Sequence, residues 1–167
     1  MEDYEMMREH CCCFTGHRPE KLQWDENTVT EALEKEICQA IADDFTFFLT
    51  GMARGVDIWA AEIVLRLRDT GVPIHLICAS PYAGFESSWS DNWQHRYHSV
   101  LQAADHVKFV CSHYSRSCYQ IRNVWLVDHS ARVIAVYNGS TGGTYNTLRY
   151  ARKQGIHAKI IYNSGTN

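Results

Sequence analysis

Several features that would place this chain in a specialised class are missing from its sequence. No apolar stretch approaches the length of a membrane span. Residues 1–10 are polar and acidic, without the basic segment and apolar core of a secretory signal. The net charge of −3 gives no electrostatic reason to expect nucleic acid or an anionic membrane as a partner. The sequence therefore predicts a soluble, cytoplasmic protein that does not associate with membranes.

The seven cysteines also lack the spacing of a metal site. No CxxC occurs, and Cys11, Cys12 and Cys13 are consecutive in an apolar run. Neighbouring side chains of a strand point to opposite faces, so these three thiols cannot converge on one ion. A second set of metal-binding residue types matches no zinc pattern either: His106, Cys111, His113 and Cys118. We predict reduced, mostly buried thiols and no metal.

What the chain does contain is a regular alternation of strand-like and helix-like apolar patterns. Its 167 residues, 46% of them hydrophobic, are enough for one domain with a sizeable core. Residues 133–137 are almost continuously apolar, as expected of a parallel strand covered on both faces. We predict a single α/β domain over residues 11–162, with tails at 1–10 and 163–167. Its architecture should be three-layered, Rossmann-like and doubly wound, with about six mainly parallel strands and helices on both faces.

Residues 46–62 combine a short strand, a tight turn and an amphipathic helix. The apolar run ends at Gly51, and Arg54 and Gly55 follow before a pattern of helical period begins at Val56. Glycine lets a ligand approach the backbone, and a helix N-terminus attracts anions through its free N–H groups. Arg54 adds a full positive charge. On its own, the segment has two about equally good interpretations. It could form an anion site, or it could be only a sharp turn that needs glycine for its geometry.

The other polar and glycine-rich segments also follow predicted strands. Parallel sheets bind ligands beyond the carboxyl ends of their strands, so these segments should share one edge, and this favours an anion site over ordinary turn chemistry. We predict that this edge binds a small phosphorylated ligand. The predicted ligand-binding residues are Gly16, His17, Arg18, Gly51, Arg54, Gly55, Asp57, Ser80, Tyr82, Arg122, Gly142, Gly143 and Thr144.

The segment after the third predicted strand is rich in aromatic residues. Ser88, three residues before Asp91, predicts a capping box for the next helix. Trp89 begins the apolar stripe of that helix, which is typical of a core. Tyr82 and Trp89 also lie near the predicted edge, where their rings could stack on a base.

Three carboxylates are candidates for acid–base roles: Asp57, Asp128 and Glu86. Asp57 lies in the first turn of its helix, where the dipole stabilises a carboxylate and where it could also receive a ribose hydroxyl. Asp128 falls on the apolar side of its helix, as either a buried partner of an arginine or a site carboxylate. No Ser-His-Asp, nucleophile-elbow or Cys-His pattern is present. The catalytic residues, if the protein is an enzyme, are therefore not identified.

Several short segments resemble known families. Thr50 to Asp57, T-G-M-A-R-G-V-D, resembles the S-G-x-A-R-G-I-D segment of DNA-processing protein A, and Arg122-Asn123 resembles an R-N pair of that family. Gly142-Gly143-Thr144 resembles the end of the P-G-G-x-G-T segment of the LOG phosphoribohydrolases. Residues 13–19, 79–82 and 120–123 are similar to the YpsA-like family. All three belong to the SLOG superfamily of Rossmann-like domains, and the YpsA-like similarity covers roughly residues 11–162.

The resemblance implies a nucleotide-derived ligand at the same edge and adds Asn123 to its binding residues. LOG enzymes use glutamates after the G-T, whereas this chain has Asn146 and Thr147 there, which argues against phosphoribohydrolase chemistry. We predict binding or sensing of a nucleotide or nucleotide-sugar ligand, with no cofactor identified. The alternatives are a hydrolase of N-glycosidic or phosphate bonds and a single-stranded DNA binder, which the acidic balance opposes. Related domains pair, so self-association is a further expectation.

Overall fold

Strands and helices alternate throughout residues 7–163, the part of the chain that the computed structural model describes. The strands are β1 (Cys11–Gly16), β2 (Phe47–Thr50), β3 (His75–Ser80), β4 (His106–Phe109), β5 (Arg132–Tyr137) and β6 (His157–Tyr162). The α-helices of this part are α1 (Glu26–Ala42), α2 (Val56–Asp69), α3 (Asp91–Ala103), α4 (Cys118–Asp128) and α5 (Gly143–Lys153).

The six strands form one parallel sheet in the order β4-β3-β2-β1-β5-β6. From β1 the chain moves outward to β4, and it then returns to the other side of β1 for β5 and β6. The strand order therefore reverses between β1 and β5. In open α/β sheets this reversal, beyond the carboxyl ends of the strands, is where ligands bind. The predicted α/β fold with a parallel sheet is confirmed.

The central strand β1 shows how the sheet divides the core into two layers. Cys12 and Phe14 pack on the side of α1, α2 and α3, whereas Cys11 and Cys13 pack on the side of α4 and α5. Burial raises the pKa of Cys11 to about 11 and that of Cys13 to about 12, so both thiols stay protonated at neutral pH. Five of the seven cysteines are buried and all are free, in agreement with the sequence-based prediction.

The predicted capping box at Ser88 is wrong. Helix α3 begins at Asp91, and neither Ser88 nor the preceding Ser90 caps it with a side-chain hydrogen bond. Residues 81–90 instead fold into successive tight turns, in which Ser87 N donates to Gly84 O at 3.0 Å and Trp89 N donates to Glu86 O at 2.9 Å. The helix begins only after these turns.

The two predicted tails lie partly outside the described residues, at 1–6 and 164–167. Arg8–His10 form a short 3-10 helix that leads directly into β1. At the other end, Asn163 is buried, and its Oδ1 accepts a hydrogen bond of 2.5 Å from Gln23 N. Within residues 7–163, no helix is both long and apolar enough to cross a bilayer.

Candidate functional site

The loops beyond the carboxyl ends of the strands, here called the rim, contact one another. Arg54, after β2, pairs with Glu20, after β1, at 2.9 Å between Nη2 and Oε1. Asn138, after β5, donates from Nδ2 to Lys21 O at 3.1 Å. The rim is therefore continuous from β2 across the reversal to β5.

Three of the rim glycines are covered by the protein's own atoms. A Cβ on Gly16 would lie 2.4 Å from Val56 Cγ2, and one on Gly51 would lie 2.8 Å from Arg122 Nη1. At Gly55, which has a φ of +92°, it would lie 2.9 Å from Pro19 Cδ. The structure gives these glycines a packing role in place of the predicted approach of a ligand.

The glycines before α5 are different, because the space above them is open. Gly142 has a φ of +142°, a conformation that favours glycine, and a Cβ on Gly142 or Gly143 would have none of the described atoms within 4 Å. Thr144, the second residue of α5, is largely buried. The backbone at Gly142 and Gly143 is therefore open to a ligand.

Arg122, a predicted ligand-binding residue, is buried and serves the fold. Its Nη1 donates to the carbonyl oxygen of Gly51, and its Nε donates to Asn123 Oδ1 at 2.8 Å. The guanidinium lies 6.0 Å from the centre of the Phe85 ring. Burial lowers the pKa of Arg122, and the nearby charge of Asp57 opposes that shift. The side chain thus ties α4 to the turn after β2, and Asn123 is engaged in the same arrangement.

Asp57 is also turned inward. Its Oδ2 accepts a hydrogen bond from Ala53 N at 3.1 Å, and its carbonyl accepts one from Thr50 Oγ1 at 2.9 Å. Oδ1 has no hydrogen-bond partner among the described residues. Burial raises the pKa of Asp57 to about 6, although the charge of Arg122 and the Ala53 N–H both oppose this. Asp57 closes the turn after β2 and is poorly placed for the predicted ribose contact.

The burial of Asp57 should appear in the pH dependence of stability. Its pKa is raised from 3.8 to about 6 on folding, so between these values the folded protein holds a proton that the unfolded chain lacks. The free energy of unfolding should therefore fall by about 3 kcal/mol as the pH rises from about 4 to about 6. Urea denaturation across this range should show the fall in the wild type and not in Asp57→Asn. Equal slopes in the two proteins would contradict this assignment.

One cavity at the rim brings cations and aromatic rings together. It has a volume of about 380 Å³. Arg18 and Arg54 come from the loops after β1 and β2, and Tyr82 comes from the loop after β3. Of the predicted ligand-binding residues, these three line one cavity. The complete lining consists of Arg18, Ala53, Arg54, Tyr82, Phe85, Ser88, Trp89, Ser90 and Tyr119.

The aromatic side of this cavity is a cluster of contacting rings. Phe85 lies 5.0 Å from Trp89 and 5.8 Å from Tyr82 between ring centres, and Tyr119 lies 5.6 Å from Phe85. Burial, followed by a hydrogen bond with Tyr82, raises the pKa of Tyr119 to about 12. Sequence reasoning missed Phe85 and Tyr119. Their only signal was the density of aromatic residues after β3 and at the start of α4.

Two further predicted residues are buried at the rim. His17 is 5% exposed and its ring stacks on Tyr137 at 5.6 Å between centres. Burial, and then the nearby positive charge of Lys21, lower the pKa of His17. Ser80 is fully buried, and its hydroxyl lies 2.7 Å from the hydroxyl of Tyr97. Both side chains therefore pack inside the protein beneath the rim loops.

The remaining carboxylate candidates differ in position. Glu86 is buried in the turn beside the aromatic cluster, with Oε1 3.7 Å from His98 Nε2 and Oε2 without a hydrogen-bond partner among the described residues. Asp128 is exposed at the last residue of α4, away from the rim, and accepts a hydrogen bond from Tyr150 at 2.6 Å. The expectation that Asp128 is a buried partner of an arginine or a site carboxylate is therefore wrong. Helix α4 ends near the amino ends of the strands, and the rim lies beyond their carboxyl ends.

Comparison with known families identifies the domain. The YpsA model, described as the YspA SLOG family, matches residues 12–162. The chain belongs to the YpsA family of SLOG proteins. This confirms the family resemblance seen in the rim motifs, including the relation to the SLOG fold of DNA-processing protein A.

Two relatives are similar to the chain over much of its length. A UPF0398 protein of Halalkalibacterium halodurans is 30% identical over 118 residues, which are 70% of this chain and 62% of the relative. The SPbeta prophage-derived protein YoqJ of Bacillus subtilis is 34% identical over 118 residues, covering 64% of this chain and 69% of YoqJ. The chain thus spans less than two thirds of the first of these relatives.

Solved structures of DNA-processing protein A share the fold of this YpsA-family domain. The Streptococcus pneumoniae protein aligns with a TM-score of 0.66 and 14% identity, over 93% of this chain and 51% of its own. The Helicobacter pylori protein, reported for its single-stranded DNA binding mode, aligns with a TM-score of 0.63 and 18% identity, over 98% of this chain and 73% of its own. At these identities the likeness establishes the fold alone.

Proposed function

We propose that the rim cavity binds a nucleotide or nucleotide-derived ligand. The observation that carries the proposal is the meeting of Arg18 and Arg54 with Tyr82, Trp89 and their neighbouring rings in one cavity. Guanidinium groups suit phosphate because they are always charged and offer several donors, and aromatic rings stack on bases. The open backbone at Gly142 and Gly143 offers additional N–H donors along the same rim.

Calorimetry against a panel of nucleotides tests the proposal directly. The panel contains nucleoside mono-, di- and triphosphates, dinucleotide cofactors and a single-stranded oligonucleotide. At least one nucleotide should bind, and chromatography of the same mixtures for free base or ribose phosphate would reveal the hydrolase alternative. A folded protein that binds none of the mononucleotides or dinucleotides would overturn the proposal, and binding of the oligonucleotide alone would support the second candidate below.

Arg54→Ala should weaken nucleotide binding about tenfold or more, because a hydrogen bond to a charged group contributes about 1.5–3 kcal/mol. Stability should change little, since the exposed pair of Arg54 with Glu20 contributes at most about 1 kcal/mol. Arg66→Ala is the matched control, because Arg66 also pairs with a glutamate, Glu34, at 2.6 Å, but in the last turn of α2. Unchanged affinity in Arg54→Ala would contradict the phosphate contact.

Single-stranded nucleic acid is the second candidate, because one face of α5 carries several cations. Arg149 and Arg152 line two adjoining grooves of about 620 and 790 Å³, together with Tyr145, and Lys153 lines the larger groove. The Arg149 guanidinium lies 5.6 Å from the centre of the Tyr145 ring. Cations beside an aromatic ring suit a sugar–phosphate backbone and its bases. The oligonucleotide measurement, repeated at two salt concentrations, decides this candidate, because backbone binding weakens steeply with salt.

A further inference from the structure

The two sides of the rim cavity differ in chemistry. Arg18 and Arg54 follow β1 and β2, whereas Tyr82 follows β3 and Tyr119 lies in the first turn of α4, after β4. In the order β4-β3-β2-β1, the cations and the rings therefore lie on opposite sides of the cavity. Neighbouring strands are about 4.8 Å apart, so Arg54 and Tyr82 follow strands one spacing apart, whereas Arg18 and Tyr119 follow strands three spacings apart. A ligand that satisfies both sides carries an anionic group at one end and a flat ring at the other.

The size of the cavity limits which nucleotides can fit. Its volume of about 380 Å³ is near the lower end of the roughly 300–1,000 Å³ found for small-molecule sites. This space suits one base, one ribose and one phosphate group. A dinucleotide would need about twice as much.

The chain itself already places an anion on the cationic side. The carboxylate of Glu20 lies 2.9 Å from Arg54, and its side chain is 56% exposed. A hydrogen bond from its own backbone amide, and then the charges of Arg54 and Arg18, lower the pKa of Glu20. The Glu20 carboxylate therefore already occupies a hydrogen-bonding position on Arg54 that a phosphate of a bound ligand would need.

Building on the proposed function, we infer that the ligand is a mononucleotide whose 5′-phosphate displaces Glu20 from Arg54. The base stacks on Tyr82 and the rings around it, and the phosphate is held by Arg54 and Arg18. Glu20 is a competitor built into the site, so the affinity for phosphorylated ligands is lower than the arginines alone would allow. A nucleoside without phosphate does not compete with Glu20.

Glu20→Gln tests the competition, with nucleoside 5′-monophosphates, the matching nucleosides and inorganic phosphate as ligands in calorimetry. The monophosphates should bind the variant roughly two- to fivefold more tightly than the wild type, which corresponds to the strength of an exposed ion pair. Binding of the nucleosides should not change. Glu34→Gln is the matched control, because it removes the partner of Arg66 far from the rim and should leave all affinities unchanged.

Tyr82→Leu tests the other side of the cavity. Loss of stacking should weaken nucleosides and monophosphates alike by about tenfold, and it should leave inorganic phosphate unaffected. Equal or weaker binding of monophosphates by Glu20→Gln, or binding of dinucleotides alone, would overturn the inference. In either case, nucleotide binding that depends on Arg54 would still support the broader proposal. If the folded wild type binds no nucleotide at all, both fall.

Discussion

Replacing Arg122 with methionine should lower the free energy of unfolding by about 3–5 kcal/mol, the cost typical of breaking a buried charge interaction. The guanidinium is buried and donates to the Gly51 carbonyl, and its charge opposes the rise in the pKa of Asp57. Methionine keeps much of the volume but leaves that carbonyl without its donor and the Asp57 carboxylate without its compensating charge. Urea denaturation at neutral pH measures the loss.

Two further variants separate the charge effect from a general effect of mutation. Arg66→Met removes an exposed arginine from α2 and should cost less than about 1 kcal/mol. Adding Asp57→Asn to Arg122→Met should recover part of the stability, because the buried negative charge is then gone. A loss below about 1 kcal/mol in Arg122→Met, or strictly additive effects in the double variant, would contradict the coupling of these two residues.

Gly16→Ala should destabilise the protein by about 2 kcal/mol, an effect typical of overpacking. The added Cβ would lie 2.4–2.7 Å from three side-chain atoms of Val56. Val56 is fully buried at the start of α2, so either the end of β1 or the helix must shift. The same denaturation measurement, supported by the thermal midpoint, gives the loss.

The control for this prediction is Gly143→Ala, because a Cβ at Gly143 meets none of the described atoms within 4 Å. Its effect should be neutral or slightly stabilising, since alanine favours a helix more than glycine does. Trimming the neighbour supplies a second check. The double variant Gly16→Ala/Val56→Ala should be at least about 1 kcal/mol more stable than the sum of the single effects predicts. Additive effects would mean that the Cβ and Val56 do not clash.

The fold could be predicted from the sequence because its signals are local. The almost uninterrupted apolar run of β5 marks a strand covered on both faces, and Val133, Ile134, Ala135 and Val136 are all fully buried. The three consecutive cysteines of β1 alternate between the two layers of the core, as a strand requires. Periodicity also predicted the amphipathic helix that follows β2. Such patterns depend on neighbours in the chain and need no knowledge of distant residues.

The roles of the rim glycines could not be predicted in the same way. Glycine leaves space, and the sequence does not say whether a ligand or a side chain fills it. Val56 lies 40 residues after Gly16, and Arg122 lies 71 residues after Gly51. These partners become visible only when the strands are arranged in space. The same applies to Arg122, whose predicted contact with a ligand is replaced by a contact with the backbone.

The aromatic side of the cavity was only partly predicted, because residues 81–90 follow neither a helical nor a strand period. The Ser88 pattern suggested a helix cap, whereas the chain forms turns that bring Phe85 and Trp89 together. Tyr82 and Trp89 were identified as residues that could stack on a base, and they line the cavity. Phe85 and Tyr119 depend on contacts between separate loops and could not be found from spacing.

Val56, Arg122 and Pro19 pack against the rim glycines Gly16, Gly51 and Gly55. This packing has a thermodynamic consequence for any ligand that binds at the rim. Loops that must order on association lose conformational entropy, which subtracts from affinity. Here the turns after β1 and β2 are already packed against Val56, Arg122 and Pro19, so recognition at Arg54 begins from a rigid frame. Association should therefore show a small entropic penalty from the main chain, with most adjustment confined to surface side chains such as Arg54 and Glu20.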